Sequence, residues 1–335
     1  MYKYFLKPLL FKLNAETAHH FTLFILKFTK AWGFRYKGSE KPVTIMGLVF
    51  KNRLGLAAGL DKNAVAMDAW KLLGFGFIEI GTVTPKAQPG NPKPRLFRLP
   101  KDYALINRMG FNNEGMERIC NRLIAKKPKN LILGVNIGKN KDTPNELAIL
   151  DYELCFKTFY KIADYIVVNV SSPNTPNLRE LQDRDHLSSL MLALNTLAKQ
   201  LNTSIPLLLK IAPDLNTTQL DDIIELIEQY NWTGIVSSNT TVLRKDLHTA
   251  PHTLEAIGNG GLSGKPIEAR STEIISYLRT KLSSQRVIIG VGGILNPMDA
   301  QNKISAGADL IQVYTGLIYE GPKLVHNILS TLNSK

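Results

Sequence analysis

From residue 53 onward the chain alternates between two kinds of segment. Short apolar runs read as strands: RLGLAAG (53–59), FGFIEIGT (75–82), LILGVNIG (131–138) and YIVVNVS (165–171). Four more follow, PLLLKIAP (206–213), GIVSSNT (234–240), VIIGVGG (287–293) and LIQVYTG (310–316). Between most of them apolar residues recur at helical spacing, as over 64–73, 216–230 and 266–282. Near-continuous apolar strands that alternate with helices predict a parallel sheet covered on both faces. Eight such units over about 260 residues predict a (β/α)8 TIM barrel, with a doubly wound open sheet as the alternative. The longer intervals, 82–131 and 240–287, leave room for loops or small strands over the barrel mouth.

Ahead of the barrel two helical patterns stand apart. In NAETAHHFTLFILKFTKAW, Asn14 is a candidate N-cap, and Ala18, Phe21, Phe24, Ile25, Phe28 and Trp32 fall on one stripe. In YKYFLKPLLFK, Pro8 must sit near a helix start or kink it. The predicted organisation is therefore a two-helix extension over 1–38 and a barrel domain over 39–335. The aromatic stripe either packs on the barrel, lines an apolar channel or rests against lipid.

Charge narrows that choice. The 335 residues carry a formal net charge of +13. Residues 1–38 hold Lys3, Lys7, Lys12, Lys27, Lys30, Arg35 and Lys37 against a single acid, Glu16, together with ten of the 27 aromatic residues. Basic and aromatic without interleaved acids reads as a membrane-surface element rather than a nucleic-acid arm. Lysines interrupt every early apolar run, so neither a secretory signal nor a transmembrane span is expected. Two cysteines, Cys120 and Cys155, cannot alone build a metal cluster and suit a reducing compartment. With 44% hydrophobic and 21% charged residues, a sizeable core is expected and wholesale disorder is not.

Active sites of such barrels use the C-terminal ends of the strands. Those ends offer Lys62, Thr82, Asn136, Asn169 with Ser172, Lys210, Ser238 with Asn239, Gly292 with Gly293, and Tyr314 with Thr315. The set is rich in amides, holds two lysines, and lacks the carboxylate pair of a glycosidase or the His and acid cluster of a metallohydrolase. Asp61 is the one acid among them. Amides match the alternating donor and acceptor edge of a pyrimidine or flavin ring. Lysines supply charge for an anion, and the glycines of GGLSG (260–264) and GVGGI (290–294) let backbone N–H groups approach a phosphate.

Here the chain resembles a known family. GLAAGLDKNA, EIGTVTPKAQPGNPKPRLFRLP, INRMGFNNEG, VNVSSPNTPNLRELQ, LLLKIAPDL, GGLSGKP and IIGVGGI, in that order over nearly the whole chain, are similar to the dihydroorotate dehydrogenases. The basic aromatic extension and the serine in NVSSPNT resemble the membrane-associated class 2 enzymes, whereas class 1 lacks the extension and uses a cysteine base. The resemblance implies FMN as cofactor, oxidation of dihydroorotate to orotate, and a quinone as electron acceptor in pyrimidine biosynthesis. It implies FMN contacts from Ala58, Gly59, Leu60, Asp61, Lys62, Thr82, Asn136, Asn169, Lys210, Ser238, Gly264, Gly293, Tyr314 and Thr315. For dihydroorotate it implies Lys62, the loop Asn107, Arg108, Met109, Gly110 and Phe111, then Asn169, Asn174, Asn239 and Thr240.

Ser172 is the implied catalytic base, with Thr175 and water as its proton relay. A hydroxyl is too weak a base to hold the proton alone, and outside this motif Ser172 would read as a turn cap before Pro173. His19, Arg98 and Tyr314 are the implied polar lining of a quinone tunnel. No metal and no nucleic acid is expected. The expected placement is peripheral, on the cytoplasmic face of a bacterial inner membrane, as a monomer. Two readings compete. A flavin barrel acting on RNA, such as a tRNA dihydrouridine synthase, would use a cysteine acid, and neither Cys120 nor Cys155 falls at a predicted strand end. A flavin-free barrel serving as a membrane-bound binding module would show no flavin absorbance.

Overall fold

The computed structural model describes residues 2–28, 36, 38 and 40–333. Trp32 of the expected stripe, Lys30, Arg35 and Lys37 of the basic cluster, and Ser39 at the expected domain boundary lie outside the described residues. A π-helical turn, Tyr2–Leu6, leads into α1 (Lys7–Lys12), and Pro8 sits in the first turn of α1, where its missing N–H costs no bond. Helix α2 (Ala15–Leu26) starts as expected at Asn14, whose side chain accepts from the Glu16 N–H at 3.0 Å. The stripe does not face the barrel along its whole length. Ala18 is buried, but Phe21, Phe24 and Phe28 are exposed, and Leu23 and Leu26 make the contact with the core instead.

A hairpin follows, β1 (Val43–Ile45) and β2 (Leu48–Phe50), turned by Met46 and Gly47, both at positive φ. Such a turn matches the twist of the paired strands. Phe50 from this hairpin enters the barrel interior among Phe77, Tyr165, Val167, Leu208, Val236, Ile289 and Leu310. The hairpin was not foreseen, because three-residue strands are too short to show periodicity.

The barrel strands are β3 (Leu54–Leu56), β4 (Phe77–Val83), β7 (Ile132–Ile137), β8 (Tyr165–Asn169), β9 (Leu207–Ile211), β10 (Gly234–Ser237), β12 (Val287–Val291) and β13 (Leu310–Val313). They close in that order into one parallel barrel, so the doubly wound alternative is set aside. The helices α3 (Met67–Leu73), α4 (Met116–Lys126), α5 (Ala148–Phe159), α6 (Arg184–Gln200), α7 (Thr217–Gln229), α9 (Glu268–Lys281), α10 (Pro297–Ser305) and α12 (Lys323–Asn333) alternate with them. Helix α7 illustrates the local logic. Asn216 and Gln219 form a reciprocal capping box, worth about 1 kcal/mol, and Leu220, Ile223, Ile224 and Ile227 bury one face against the barrel.

The two long intervals do carry strands over the mouth. β5 (Leu96–Leu99), β6 (Ala104–Asn107) and β11 (Gly261–Gly264) form an antiparallel sheet that draws on both intervals, flanked by α8 (Pro251–Ile257). The short α11 (Thr315–Glu320) follows the last barrel strand. Helix α2 is fastened to this upper sheet by a buried ion pair. Arg95 Nη2 and Nε donate to Glu16 Oε1 and Oε2 at 2.7 and 3.1 Å, and Arg95 Nη1 donates to the Asn91 carbonyl at 2.9 Å. Burial alone would raise the Glu16 pKa, but the Arg95 guanidinium outweighs it and holds the carboxyl below its ordinary value.

Candidate active site

The strand mouths and the upper sheet enclose a cavity with roughly 1030 Å³ of atom-free space, part of it open to solvent. Most of the sequence-expected residues line it. Ala58, Gly59 and Lys62 come from the segment after β3, Thr82 from β4, Asn169, Ser172 and Asn174 from β8 and its loop, and Lys210 from β9. Ser238, Asn239 and Thr240 follow β10, Gly264 ends β11, Gly293 follows β12, and Tyr314 and Thr315 follow β13. Asn107, Met109, Gly110 and Phe111 reach in from the end of β6.

Others are held elsewhere. Asp61 is fully buried beneath its loop and accepts from the Val65 and Ala66 N–H groups and from Trp70 Nε1 at 2.7–2.9 Å. Its carboxylate thus shapes the turn into α3 rather than facing the cavity, and burial raises its pKa against those bonds. Leu60 is packed in the core. Asn136 lies behind the cavity wall, bonded to Thr82 Oγ1 at 2.5 Å. Arg108 points away, donating to the Asn259 carbonyl at 3.1 Å with its guanidinium 4.7 Å from the Phe97 ring centroid, and so ties β6 to the α8 connection.

The Ser172 hydroxyl is buried, and its oxygen accepts from the Asn174 N–H at 3.2 Å. That turn fixes Oγ while leaving its own O–H unconstrained. Among the described residues no histidine or carboxylate is bonded to it. Asn174 Nδ2 donates to Asn107 Oδ1 at 3.1 Å, joining the Ser172 loop to the upper sheet across the cavity. Thr175 does not line the cavity, and its buried hydroxyl has no hydrogen-bond partner among the described residues. Arg179 clamps the same loop, donating to the Ser171 carbonyl at 3.1 Å and the Thr240 carbonyl at 2.9 Å while paired with Asp214 at 2.7 Å.

At the other end, burial pulls the Lys62 pKa down to about 8, with Arg95 adding to the effect and Glu16 opposing it. Burial, then Lys62 and His20, hold His19 of α2 at about 3, so its imidazole is neutral. His19 and Lys62 are thus electrostatic neighbours, which brings α2 to the Lys62 end of the cavity. Tyr314 lines the cavity and reaches the Gly59 carbonyl at 3.4 Å, its phenol pushed up to about 12 by burial. Arg98 has another occupation: it donates to the Leu10 carbonyl at 3.0 Å and to that of Leu13, with its guanidinium 4.6 Å from the Phe11 centroid, and so caps the end of α1.

The residues that the sequence reading missed are Glu79 and Gln312. Gln312 Nε2 donates to Glu79 Oε2 at 2.7 Å inside the barrel. An acid within the otherwise apolar β4 was the available signal. Among the described residues no cluster of His, Cys, Asp and Glu suits a metal ion.

A sequence profile described as dihydroorotate dehydrogenase matches residues 41–335. The chain belongs to the dihydroorotate dehydrogenase family. It is 50% identical over 337 residues to a protein of Christiangramia forsetii named dihydroorotate dehydrogenase (quinone), covering 98% of this chain and 97% of that one. A protein of Nitrosospira multiformis with the same name is 50% identical over 334 residues, covering 98% and 94%. A crystal structure of the Eimeria tenella enzyme in complex with ferulenol superposes with a TM-score of 0.88 at 38% identity, covering 95% of this chain and 90% of that one. The resemblance to the quinone-dependent class is therefore borne out, and the chain is an oxidoreductase of that family.

Proposed function

We propose that the protein oxidises dihydroorotate to orotate on an FMN held at the barrel mouth and delivers the electrons to a membrane quinone, as a step of pyrimidine biosynthesis. The carrying observation is the single cavity lined by Lys62, Asn107, Asn169, Ser172, Asn174, Lys210 and Asn239, a set with no metal-ligand or hydrolase character. Its residues fit FMN. Gly264 and Gly293 line one end at φ +100 and +74, and a Cβ there would strike the Tyr103 carbonyl oxygen at 2.2 Å or Glu268 at 2.3 Å. Only glycine leaves such bare backbone for a phosphate. The hydroxyls of Ser263 and Thr315, paired at 2.8 Å, lie beside it. Thr82, Asn169, Lys210 and Ser238 would hold the ring system from the strand ends.

FMN, when bound there, would supply a hydride acceptor for dihydroorotate and an electron donor for quinone. The chain does the rest. Asn107, Asn169, Asn174 and Asn239 would orient the substrate ring, and the Lys62 ammonium would meet its carboxylate. Ser172 would draw the proton from the carbon next to the hydride donor. Its weak basicity requires an onward path, and the buried unpartnered Thr175 hydroxyl is suited to pass that proton through water. Helix α2, with neutral His19 close to Lys62, would border the quinone path, with Tyr314 at its inner end. Arg98, which also fixes α1 through the Leu10 and Leu13 carbonyls, would line that path with them. The exposed aromatic face of α1 and α2 would lie on an anionic membrane surface at the cytoplasmic side, the protein acting as a peripheral monomer. Among the described residues no helix is long and apolar enough to cross a membrane.

The test is spectroscopic. Purified protein should show flavin absorbance that bleaches with dihydroorotate under anaerobic conditions and returns on adding a soluble quinone. Protein without flavin would favour the binding-module reading. A salt-sensitive complex with tRNA would favour the RNA reading.

A further inference from the structure

Beneath the cavity lies a carboxylate that the chemistry above leaves unused. Glu79 points from β4 into the barrel interior, is wholly buried and does not line the cavity. Side chains from three other strands converge on it. Asn136 Nδ2 of β7 donates to Oε1 at 2.9 Å, Gln312 Nε2 of β13 donates to Oε2 at 2.7 Å, and Lys210 Nζ of β9 stands 3.5 Å from Oε1. Of the three, Lys210 and Gln312 line the cavity.

An ionised carboxylate only accepts hydrogen bonds, and that restriction propagates. Asn136 must turn its NH₂ toward Glu79, which leaves Oδ1 to accept from Thr82 Oγ1 at 2.5 Å and Asn169 Nδ2 at 3.1 Å. Asn169, with its NH₂ so committed, presents Oδ1 to the Ser171 N–H and hydroxyl at 3.2 and 3.0 Å. The Ser171 oxygen then accepts from Asn239 Nδ2 at 2.9 Å. Every bond in this ladder runs in one sense, and it ends beside Ser172. The Ser171 and Thr240 N–H groups hold Oδ1 of Asn169 and Asn239 from the far end, so the acid acts on Asn136, whose NH₂ it alone accepts among the described residues.

We propose that Glu79 is a positioning residue with two effects. It holds the Asn136 amide with Oδ1 turned to Thr82 and Asn169, and it offsets the Lys210 charge, holding down the reduction potential of the flavin. The second effect rests on the FMN reading above; the ladder does not. A neutral residue at 79 would leave the Lys210 ammonium uncompensated, and reduction, which adds negative charge to the cofactor, would become easier. A polar cluster that only braces the strands would alter stability and leave the potential unmoved.

The test uses flavin-loaded Glu79→Gln. We expect the oxidised-to-reduced ratio at fixed potential to shift tenfold toward reduced, an upward move of ~30 mV for a two-electron couple, and orotate affinity to fall. Glu79→Asp, which keeps the charge, should move the ratio less than threefold. An unchanged potential in flavin-loaded Glu79→Gln overturns the charge effect. Neutron diffraction from deuterated wild-type crystals decides the ladder even if the variant fails to fold. Deuterons of Asn136 directed at Glu79, and of Asn169 at Asn136, support it; an Asn136 carbonyl facing Glu79, or a protonated Glu79, overturns it. Wild-type protein that binds no flavin would instead defeat the FMN reading and leave the neutron result standing on its own.

Discussion

Ser172 and Lys62 carry opposite burdens, and each yields a sharp expectation. Ser172 has one lone pair engaged by the Asn174 N–H and, among the described residues, no stronger base bonded to it, so its proposed contribution is a placed oxygen that hands its proton on. Ser172→Ala should keep its flavin and its orotate affinity but slow flavin reduction by dihydroorotate by about 10²–10⁴-fold, the usual worth of a positioned acid–base group. Stopped-flow mixing measures this directly, and an undiminished rate would remove Ser172 from the chemistry. Lys62 differs in that its charge is conditional. Burial lowers its pKa from 10.5 to about 8, so the ammonium persists below that value and fades above it. Orotate affinity should therefore weaken as pH rises through about 8, approaching tenfold per unit. The folding contribution runs the other way. Between about 8 and 10.5 the unfolded chain binds the proton that the folded chain has lost, so this residue raises stability as pH increases across that window. Weaker binding alongside rising stability separates Lys62 from general alkaline unfolding, and Lys62→Met should flatten the binding profile.

At the scale of elements, the barrel was legible because its strands are buried on both faces and read as unbroken apolar runs. All eight occur where expected, yet most of the expected runs extend two or three residues past the observed C-terminal end. YIVVNVS gives way to a strand ending at Asn169, and GIVSSNT to one ending at Ser237. The overshoot is informative: Ser172, Ser238 and Asn239 sit where the chain leaves the ladder to face the cavity. The N-cap at Asn14 and the place of Pro8 were equally readable, since both follow from local backbone chemistry. What could not be read depends on distant partners. Asp61 belongs to a strand-end motif, but Trp70 and two backbone N–H groups claim its carboxylate. Arg98 reads as a polar lining residue, and its bonds to the carbonyls at the end of α1 depend on a segment some 85 residues away. Glu79 was hidden by the reverse effect, as a charge inside an apolar run becomes meaningful only when Asn136, Lys210 and Gln312 from other strands meet it. The β1–β2 hairpin was simply too short for a period to show.

For the whole molecule, every residue that lines the central cavity comes from the barrel and the sheet over its mouth, and the two leading helices contribute charge, aromatic surface and one buried pair. Tyr4, Phe5, Leu9 and Phe24 are 57–82% exposed on those helices, beside Lys3 and Lys7. This is an unusual concentration of apolar side chains on a protein surface, and anionic lipid would cover it. Removing residues 1–38 should therefore spare the flavin site. Arg95 would lose Glu16, but α2 would leave with it, so the guanidinium would meet water and keep the Pro89 and Asn91 carbonyls rather than remain buried and unpaired. Flavin reduction by dihydroorotate should stay within a few-fold of the full chain, whereas turnover with a long-tailed quinone and sedimentation with anionic vesicles should both be lost. The full chain's vesicle binding should also weaken as salt is raised, because part of it comes from exposed lysines. Truncated protein that still turns over such a quinone at the normal rate would mean that electrons leave the barrel by a route that does not pass along α2, and His19 would then be only a half-buried neutral side chain that feels the Lys62 charge.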